Sequence, residues 1–145
     1  MPPPMTAPGP SIRVLPRLDD TNRFFWTSGA DGVLRFLRCA GCGCYVHPPS
    51  PICPYCLGGN LAPHEVSGRA TLLSFTVNHQ QWIPGSDPYI LGIVTIEEQD
   101  DVRLTTNIVG IEADEVRIGM GLEVTFEANE DVWLPLFRPR VDANP

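Results

Sequence analysis

The sequence contains no lysine; all ten of its basic residues are arginine. That excludes Schiff-base chemistry through a side-chain amine and any phosphate loop closed by a lysine. Histidine is scarce as well, with only His47, His64 and His79, and none belongs to an HExxH pair. No GxSxG elbow occurs either, so the usual layouts of zinc proteases and α/β-hydrolases are excluded. No apolar run reaches the ~18 residues that a bilayer crossing needs. No basic flank followed by an apolar stretch opens the chain. The expectation is a cytoplasmic protein with no secretory signal and no membrane partner.

What is present points to a β-rich globular chain. Its 145 residues make one domain, or one domain with an appendage. A chain of that length buries roughly 70% of its unfolded surface and can build a core without disulfides. Sixteen prolines and thirteen glycines argue against a helical bundle. The net charge of −7 is unevenly spread. Residues 1–38 carry five arginines against three acidic residues, residues 39–68 carry only Glu65, and residues 69–145 carry five arginines against thirteen acids. The C-terminal half is therefore a poor match for a phosphate backbone, and no nucleic-acid partner is expected.

Along the chain, residues 1–18 hold six prolines without hydrophobic periodicity and read as a disordered tail. A short helix is expected within residues 19–32, from Asp19 to about Ala30, capped by Asp19, Asp20 or Thr21 and punctuated by Gly29 and Gly32. Phe24, Phe25 and Trp26 are consecutive, so they point to different sides of that helix. Either the tail and the cysteine-rich segment cover the second aromatic side, or a partner does. From residue 67 the period becomes two. Leu73, Phe75 and Val77 alternate with Ser74, Thr76 and Asn78, as a half-buried strand does. Tyr89 to Ile96 is nearly all apolar, so that strand is covered on both faces or closes tightly, with Gly92 at a bulge or bend. Strands follow at Val102–Ile108, Leu122–Ala128 and Val132–Phe137, the last marked as an edge by Pro135. Five strands, with one small turn around Ala113–Val116 after the third, predict a Greek-key barrel of the OB type over residues 67–138, then a tail at 139–145. An SH3-like barrel has the same strand count.

Residues 33–66 form the cysteine module. Cys39-Ala40-Gly41-Cys42 and Cys53-Pro54-Tyr55-Cys56 are two CxxC pairs separated by ten residues. Each spacer bends into a tight knuckle, with Gly41, Gly43 and Gly58 supplying backbone freedom. Four thiolates close a tetrahedral shell around zinc, leaving no position for substrate. One structural zinc per chain, held by Cys39, Cys42, Cys53 and Cys56, is therefore predicted. Paired disulfides would suit a secreted protein, and the odd Cys44 opposes them. Cys44 itself reads as an inert buried thiol, the alternative being a reactive one near the cluster. His47 reads as a loop histidine. His79 opens a connection that runs to Pro88 and contains Trp82 and Ile83, which are either contacts for a partner or ligand, or a lid over the barrel end. His79 and Asp87 make a weak candidate acid–base pair.

These residues resemble the acyl-CoA-associated OB-fold family, whose members carry a rubredoxin-like zinc ribbon before the barrel. The matching phrases are Phe24–Trp26, Arg38-Cys39-Ala40-Gly41-Cys42-Gly43, Pro48-Pro49, Cys53-Pro54-Tyr55-Cys56, Ser67-Gly68-Arg69-Ala70-Thr71, Pro88-Tyr89 and Val116-Arg117-Ile118-Gly119-Met120. They extend over about residues 20–138. Ala70 stands where relatives usually have glycine, and Cys44 is an addition. The resemblance implies a non-catalytic subunit that accompanies a thiolase-fold enzyme. In the steroid-degrading branch that enzyme is an aldolase cleaving a carbon–carbon bond of a hydroxyacyl-CoA side chain. In archaeal relatives the family bridges a thiolase and a synthase. Acyl-CoA would then be met through the complex, by its neutral pantetheine arm. Phe25, Trp26, Trp82, Ile83 and Trp133 are the expected contacts for the partner or ligand. A nucleic-acid-binding ribbon and barrel, or a free-standing enzyme using Cys44 or His79, are the rival functions.

Overall fold

In the computed structural model the chain is described over residues 13–141; residues 1–12 and 142–145 of the expected tails lie outside the described residues. Residues 13–18 are not a loose tail. Arg13 pairs with Glu127 at 2.8 Å, and Leu15 and Leu18 pack on the barrel. The helix α1 (Arg23–Thr27) begins later than expected. Asp19 builds a turn instead of a cap, its Oδ1 accepting from the N–H groups of Thr21 and Asn22 at 2.9 and 2.8 Å. A 3-10 turn over Ser28–Asp31 continues α1 and ends at Gly32, whose φ of +74° is the left-handed position a glycine suits.

Strands β1 (Leu34–Cys39), β2 (Tyr45–Val46) and β3 (Leu61–Val66) form an antiparallel sheet in the order β2-β1-β3. Strands β4 (Arg69–Asn78), β5 (Tyr89–Ile96), β6 (Gln99–Ile108), β7 (Gly121–Asn129) and β8 (Val132–Pro139) close a barrel in the order β4-β5-β6-β8-β7, with β7 returning to β4. The β6–β8 contact is parallel and every other pairing is antiparallel. That closure decides for the OB barrel over the SH3-like alternative. A 3-10 turn at Ala113–Glu115 fills the connection after β6, where the spacing predicts it. One apolar core runs from Phe25 and Phe36 through Tyr45 and Val66 into Leu72, Val94, Leu122 and Phe137. Ribbon and barrel therefore share a core. Among the described residues no helix is long and apolar enough to cross a membrane.

Three expectations about the strands are corrected. Leu73 does not face inward: Leu72 does, and Leu73 is the extra residue of a bulge, since Leu72 pairs with Val94 and Ser74 with the adjacent Ile93. The alternation resumes with Phe75 and Val77 partly buried. Gly92, which suggested a bulge in its own strand, answers this one from β5. A Cβ there would lie 2.9 Å from Ile108 and 3.1 Å from Leu72, so glycine permits a close approach of three strands. The second correction is that β5 is covered on one face only: Ile90, Val94 and Ile96 are buried while Tyr89, Leu91 and Ile93 are exposed.

The third concerns β8, which is not an edge. It sits between β6 and β7, and its ladder to β6 is a single pair, Ile108 with Phe137. The carbonyl of Pro135 accepts from Thr106 Oγ1 at 2.9 Å, so its nitrogen also faces the β6 side. No ladder bond is required of it there, and proline is tolerated inside the barrel wall.

Candidate functional site

The two CxxC segments fold alike. In the first, Gly43 N–H donates to the Cys39 carbonyl at 2.8 Å, and Cys39 N–H to the Cys44 carbonyl at 2.9 Å. In the second, Leu57 N–H donates to the Cys53 carbonyl at 2.8 Å, and Cys53 N–H to the Gly58 carbonyl at 2.8 Å. Cys44 and Gly58 thus hold equivalent places and close their knuckles through the backbone. Gly43 and Leu57 are the left-handed residues, with φ of +80° and +65°. The second knuckle therefore places a leucine where glycine is easier, and Gly58 is not its pivot.

The Sγ atoms of Cys39, Cys42, Cys53 and Cys56 all lie within 4.8 Å of one another. Cys39 and Cys56 are 3.5 Å apart, and Cys42 and Cys53 are 3.7 Å apart. Tetrahedral zinc with Zn–S bonds of about 2.3 Å needs sulfurs about 3.8 Å apart, so the donor set fits. The Cys42 backbone N–H is the main cause that lowers the Cys39 thiol to about 7, while burial and the facing thiols raise Cys42. Cys39 and Cys53 are buried beside Leu37 and Val46, whereas Cys42 and Cys56 are exposed. Bound zinc supplies folding free energy to the ribbon and offers no open position for chemistry.

The ribbon is fastened to the barrel by residues of the β5–β6 turn and the start of β6. Gln99 Oε1 accepts from Tyr45 N–H at 2.8 Å, and its Nε2 donates to the Tyr45 carbonyl at 3.0 Å. The amide thereby acts as one more strand residue beside β2. Tyr55 Oη donates to Asp101 Oδ2 at 2.9 Å, which raises the tyrosine above its ordinary pKa. Glu98 Oε2 accepts from Ser67 N–H at 2.6 Å. No periodicity or motif signals these contacts.

The expected contact residues divide. Phe25 is 2% exposed and serves the core, its ring 5.8 Å from Phe36 and 4.9 Å from His47. It is withdrawn as a partner contact. Trp26 is half-buried against Phe25 and the cluster of Val132, Leu134 and Leu136. Trp133 is half-buried too, its Cβ 2.5 Å from where a side chain on Gly29 would begin. The chain's own segments thus cover the aromatic sides of α1. Ile83 is half-buried, and Trp82 is 74% exposed. His47 lies in the bend after β2, as expected, but half-buried: burial lowers its pKa to about 4, and its Nδ1 has no partner among the described residues. His79 and Asp87 are joined by no salt bridge among the described residues. Arg69, Arg138 and Arg140 line one open cleft of about 360 Å³, where Arg69 pairs with Glu97 and Arg138 with Glu123.

Comparison with known proteins agrees with this architecture. Residues 26–62 match the family "ChsH2, rubredoxin-like zinc ribbon domain", and residues 63–127 match "ChsH2, C-terminal OB-fold domain". The chain is 34% identical over 133 residues to a probable enoyl-CoA hydratase alpha subunit of Thermomonospora curvata, covering 90% of this chain and 41% of that protein. It is 30% identical over 118 residues to the 3-oxo-4,17-pregnadiene-20-carboxyl-CoA hydratase alpha subunit of Mycobacterium tuberculosis, covering 81% and 37%. The chain thus spans about two fifths of the length of these relatives. A solved structure described as an Ltp2-ChsH2(DUF35) aldolase contains a chain that superposes with a TM-score of 0.78 at 34% identity, over 88% of this chain and 100% of that one.

Proposed function

Because the chain belongs to the ChsH2 family of zinc-ribbon and OB-fold proteins, we propose that it is a non-catalytic subunit of a thiolase-fold enzyme acting on acyl-CoA. The enzyme is an aldolase of steroid side-chain degradation, which breaks a carbon–carbon bond in a hydroxyacyl-CoA. One observation carries this reading: the match to the chain in the Ltp2-ChsH2(DUF35) aldolase extends over the whole of that chain.

The chemistry of the residues supports it. A closed four-thiolate shell holds the ribbon together and gives no Lewis-acid site for substrate. His79 and Asp87 lack the mutual contact a working acid–base pair needs. The acidic barrel half repels the nucleotide end of coenzyme A and tolerates the uncharged pantetheine arm. Catalysis then resides on the partner, and this chain shapes or stabilises the site.

Co-expression with a thiolase-fold protein from the same organism tests the proposal. A stable complex should form, and only the complex should cleave the acyl-CoA. Separate elution at micromolar concentration, or a partner equally active alone, would overturn it.

A further inference from the structure

In the wall of the barrel made by β4, β5 and β6, the central strand β5 is apolar on both sides. Outside, Leu73, Tyr89, Leu91 and Ile93 are 40, 41, 38 and 36% exposed. The register sets Asn78 beside Tyr89, Thr76 beside Leu91 and Asn107, and Ser74 beside Ile93 and Thr105. None of these is charged, and the first charge, Arg103, lies one row further on, opposite Thr95. Arg13 reaches the rim at Asn107, where Glu127 meets its charge. A shallow groove of about 170 Å³ runs between Phe75, Thr76, Leu91, Ile93 and Thr105. Trp82 stands at the end of the same hairpin, on the loop joining β4 to β5.

A neutral face on a chain of net charge −7 needs a reason. In OB barrels the second and third strands and the loop between the first two form the binding face. Here those are β5, β6 and the loop carrying Trp82. Nucleic-acid-binding barrels line that face with basic groups, which this one lacks.

We propose that this face docks the thiolase-fold partner, seating Leu91 and Ile93 against an uncharged apolar surface while Trp82 grips the edge. The inference rests on the subunit reading above. Charge favours that occupant over a second copy. Two copies would bring together like-signed chains, and zinc with four thiolates makes each roughly two charges more negative. Three strands about 4.8 Å apart present a face of only about 300 Å², against roughly 800 Å² per partner in a stable complex. The contact therefore has to extend to the loop between β4 and β5, where Trp82 is exposed.

The test measures affinity between the full zinc-loaded chain and the thiolase-fold protein of the same organism that co-expression pairs with it. Leu91→Glu and Ile93→Glu should each weaken binding at least 30-fold, with zinc content and melting temperature retained. Leu91→Thr, which keeps strand propensity, should weaken it about fivefold, and covers the case in which the glutamate variants fold poorly. Val141→Glu, at a residue 79% exposed just beyond the end of β8, should change it less than threefold. If the wild-type chain binds and the Leu91 and Ile93 variants bind equally well, the face is wrong and the subunit reading stands. If the wild-type chain does not bind, the subunit reading falls and this inference with it. A wild-type dimer that Leu91→Glu dissolves would assign the face to a second copy and refute the proposal.

Discussion

Replacing Gln99 by alanine should loosen the ribbon from the barrel by an amount the contacts allow one to estimate. The side chain makes three hydrogen bonds, two with the Tyr45 backbone and one from Nε2 to Asp101 Oδ1 at 2.8 Å. Tyr45 is 8% exposed, so alanine leaves an N–H and a C=O with little access to water. Each such group costs about 1–3 kcal/mol, less whatever water recovers in the vacated volume, giving a loss of about 2–4 kcal/mol. At an unfolding entropy of about 2.1 cal/mol/K per residue, that lowers the melting temperature by about 7–13 °C. Gln99→Glu separates hydrogen bonding from shape. It keeps the acceptor for Tyr45 N–H, loses the donor, and sets a second carboxylate beside Asp101. Asp101 is itself held below its ordinary pKa by the Gln99 and Tyr55 hydrogen bonds. The glutamate variant should therefore be at least as unstable as alanine near neutral pH. It should recover relative to the alanine variant below about pH 5, where its carboxyl takes up a proton and donates again. Calorimetry of zinc-loaded protein, each variant read against wild type at the same pH, makes the comparison. An alanine variant melting within 2 °C of wild type, or a glutamate variant as stable as wild type at pH 7, would refute the strand-residue role of this amide.

Purified protein should contain about one zinc per chain, and Cys39→Ser should lose metal and solubility while Cys44→Ser keeps both; full metal retention after changing Cys39 would sink the ligand set. His47 should make the fold acid-sensitive, because its pKa falls from 6.5 to about 4 on burial and the unfolded chain takes up a proton first. Its contribution is complete above about pH 6.5 and is lost as pH falls toward 4, amounting to about 1.4 kcal/mol at pH 5.5. The stability gap between wild type and His47→Leu should narrow by that amount between pH 7.5 and 5.5 in denaturant titrations, and a constant gap contradicts it. Gly29→Ala should cost about 1–3 kcal/mol through overpacking, because the new Cβ would lie 2.5 Å from both Phe126 Cδ1 and Trp133 Cβ. The Trp133 Cβ is fixed to the β8 backbone and cannot swing aside, so an unchanged denaturant midpoint would show that the 3-10 turn does not pack there as described.

Local chemistry was legible in the sequence and tertiary register was not. The cysteine spacing led to four converging sulfurs because each knuckle is closed by bonds between residues four or five apart. The alternation in β6 and β7 led to strands for the same reason. Leu73 was misplaced because a bulge shifts the period by one, and only pairing with β5 reveals it. Pro135 suggested an edge because a strand interior normally asks for its N–H. The barrel closes through a single β6–β8 pair, so that demand never arises. Residues 13–18 looked free because their two leucines have no periodic partners nearby. Their partners are on β8, more than a hundred residues away. Gln99 was invisible for a related reason: an amide that mimics a strand residue leaves no pattern in its own neighbourhood.

The run from Tyr89 to Ile96 shows how a misplaced expectation still carries information. An unbroken apolar strand implies that both faces leave water. Within this chain only Ile90, Val94 and Ile96 do so, and Tyr89, Leu91 and Ile93 remain exposed. Few of the acidic residues that make the barrel half so negative border them: Asp87 precedes Tyr89 by two residues, and Glu127 meets Arg13 beside Asn107. Glu97, Glu98, Glu112, Asp114, Glu115, Glu130 and Asp131 occupy turns and connections, and Glu123 and Glu127 lie on β7. A solvent-facing sheet would gain solubility from charge at the positions of Leu91 and Ile93, as alternation in β6 gains it from Arg103 and Asp101. Apolar residues at both positions fit a strand buried twice, once by its own barrel and once by the partner proposed above. On that argument the exposed face and the apolar run are one property of the complex. Charging Leu91 should then cost affinity without costing stability, whereas charging its buried neighbour Ile90, 7% exposed, should unfold the chain before any partner is added.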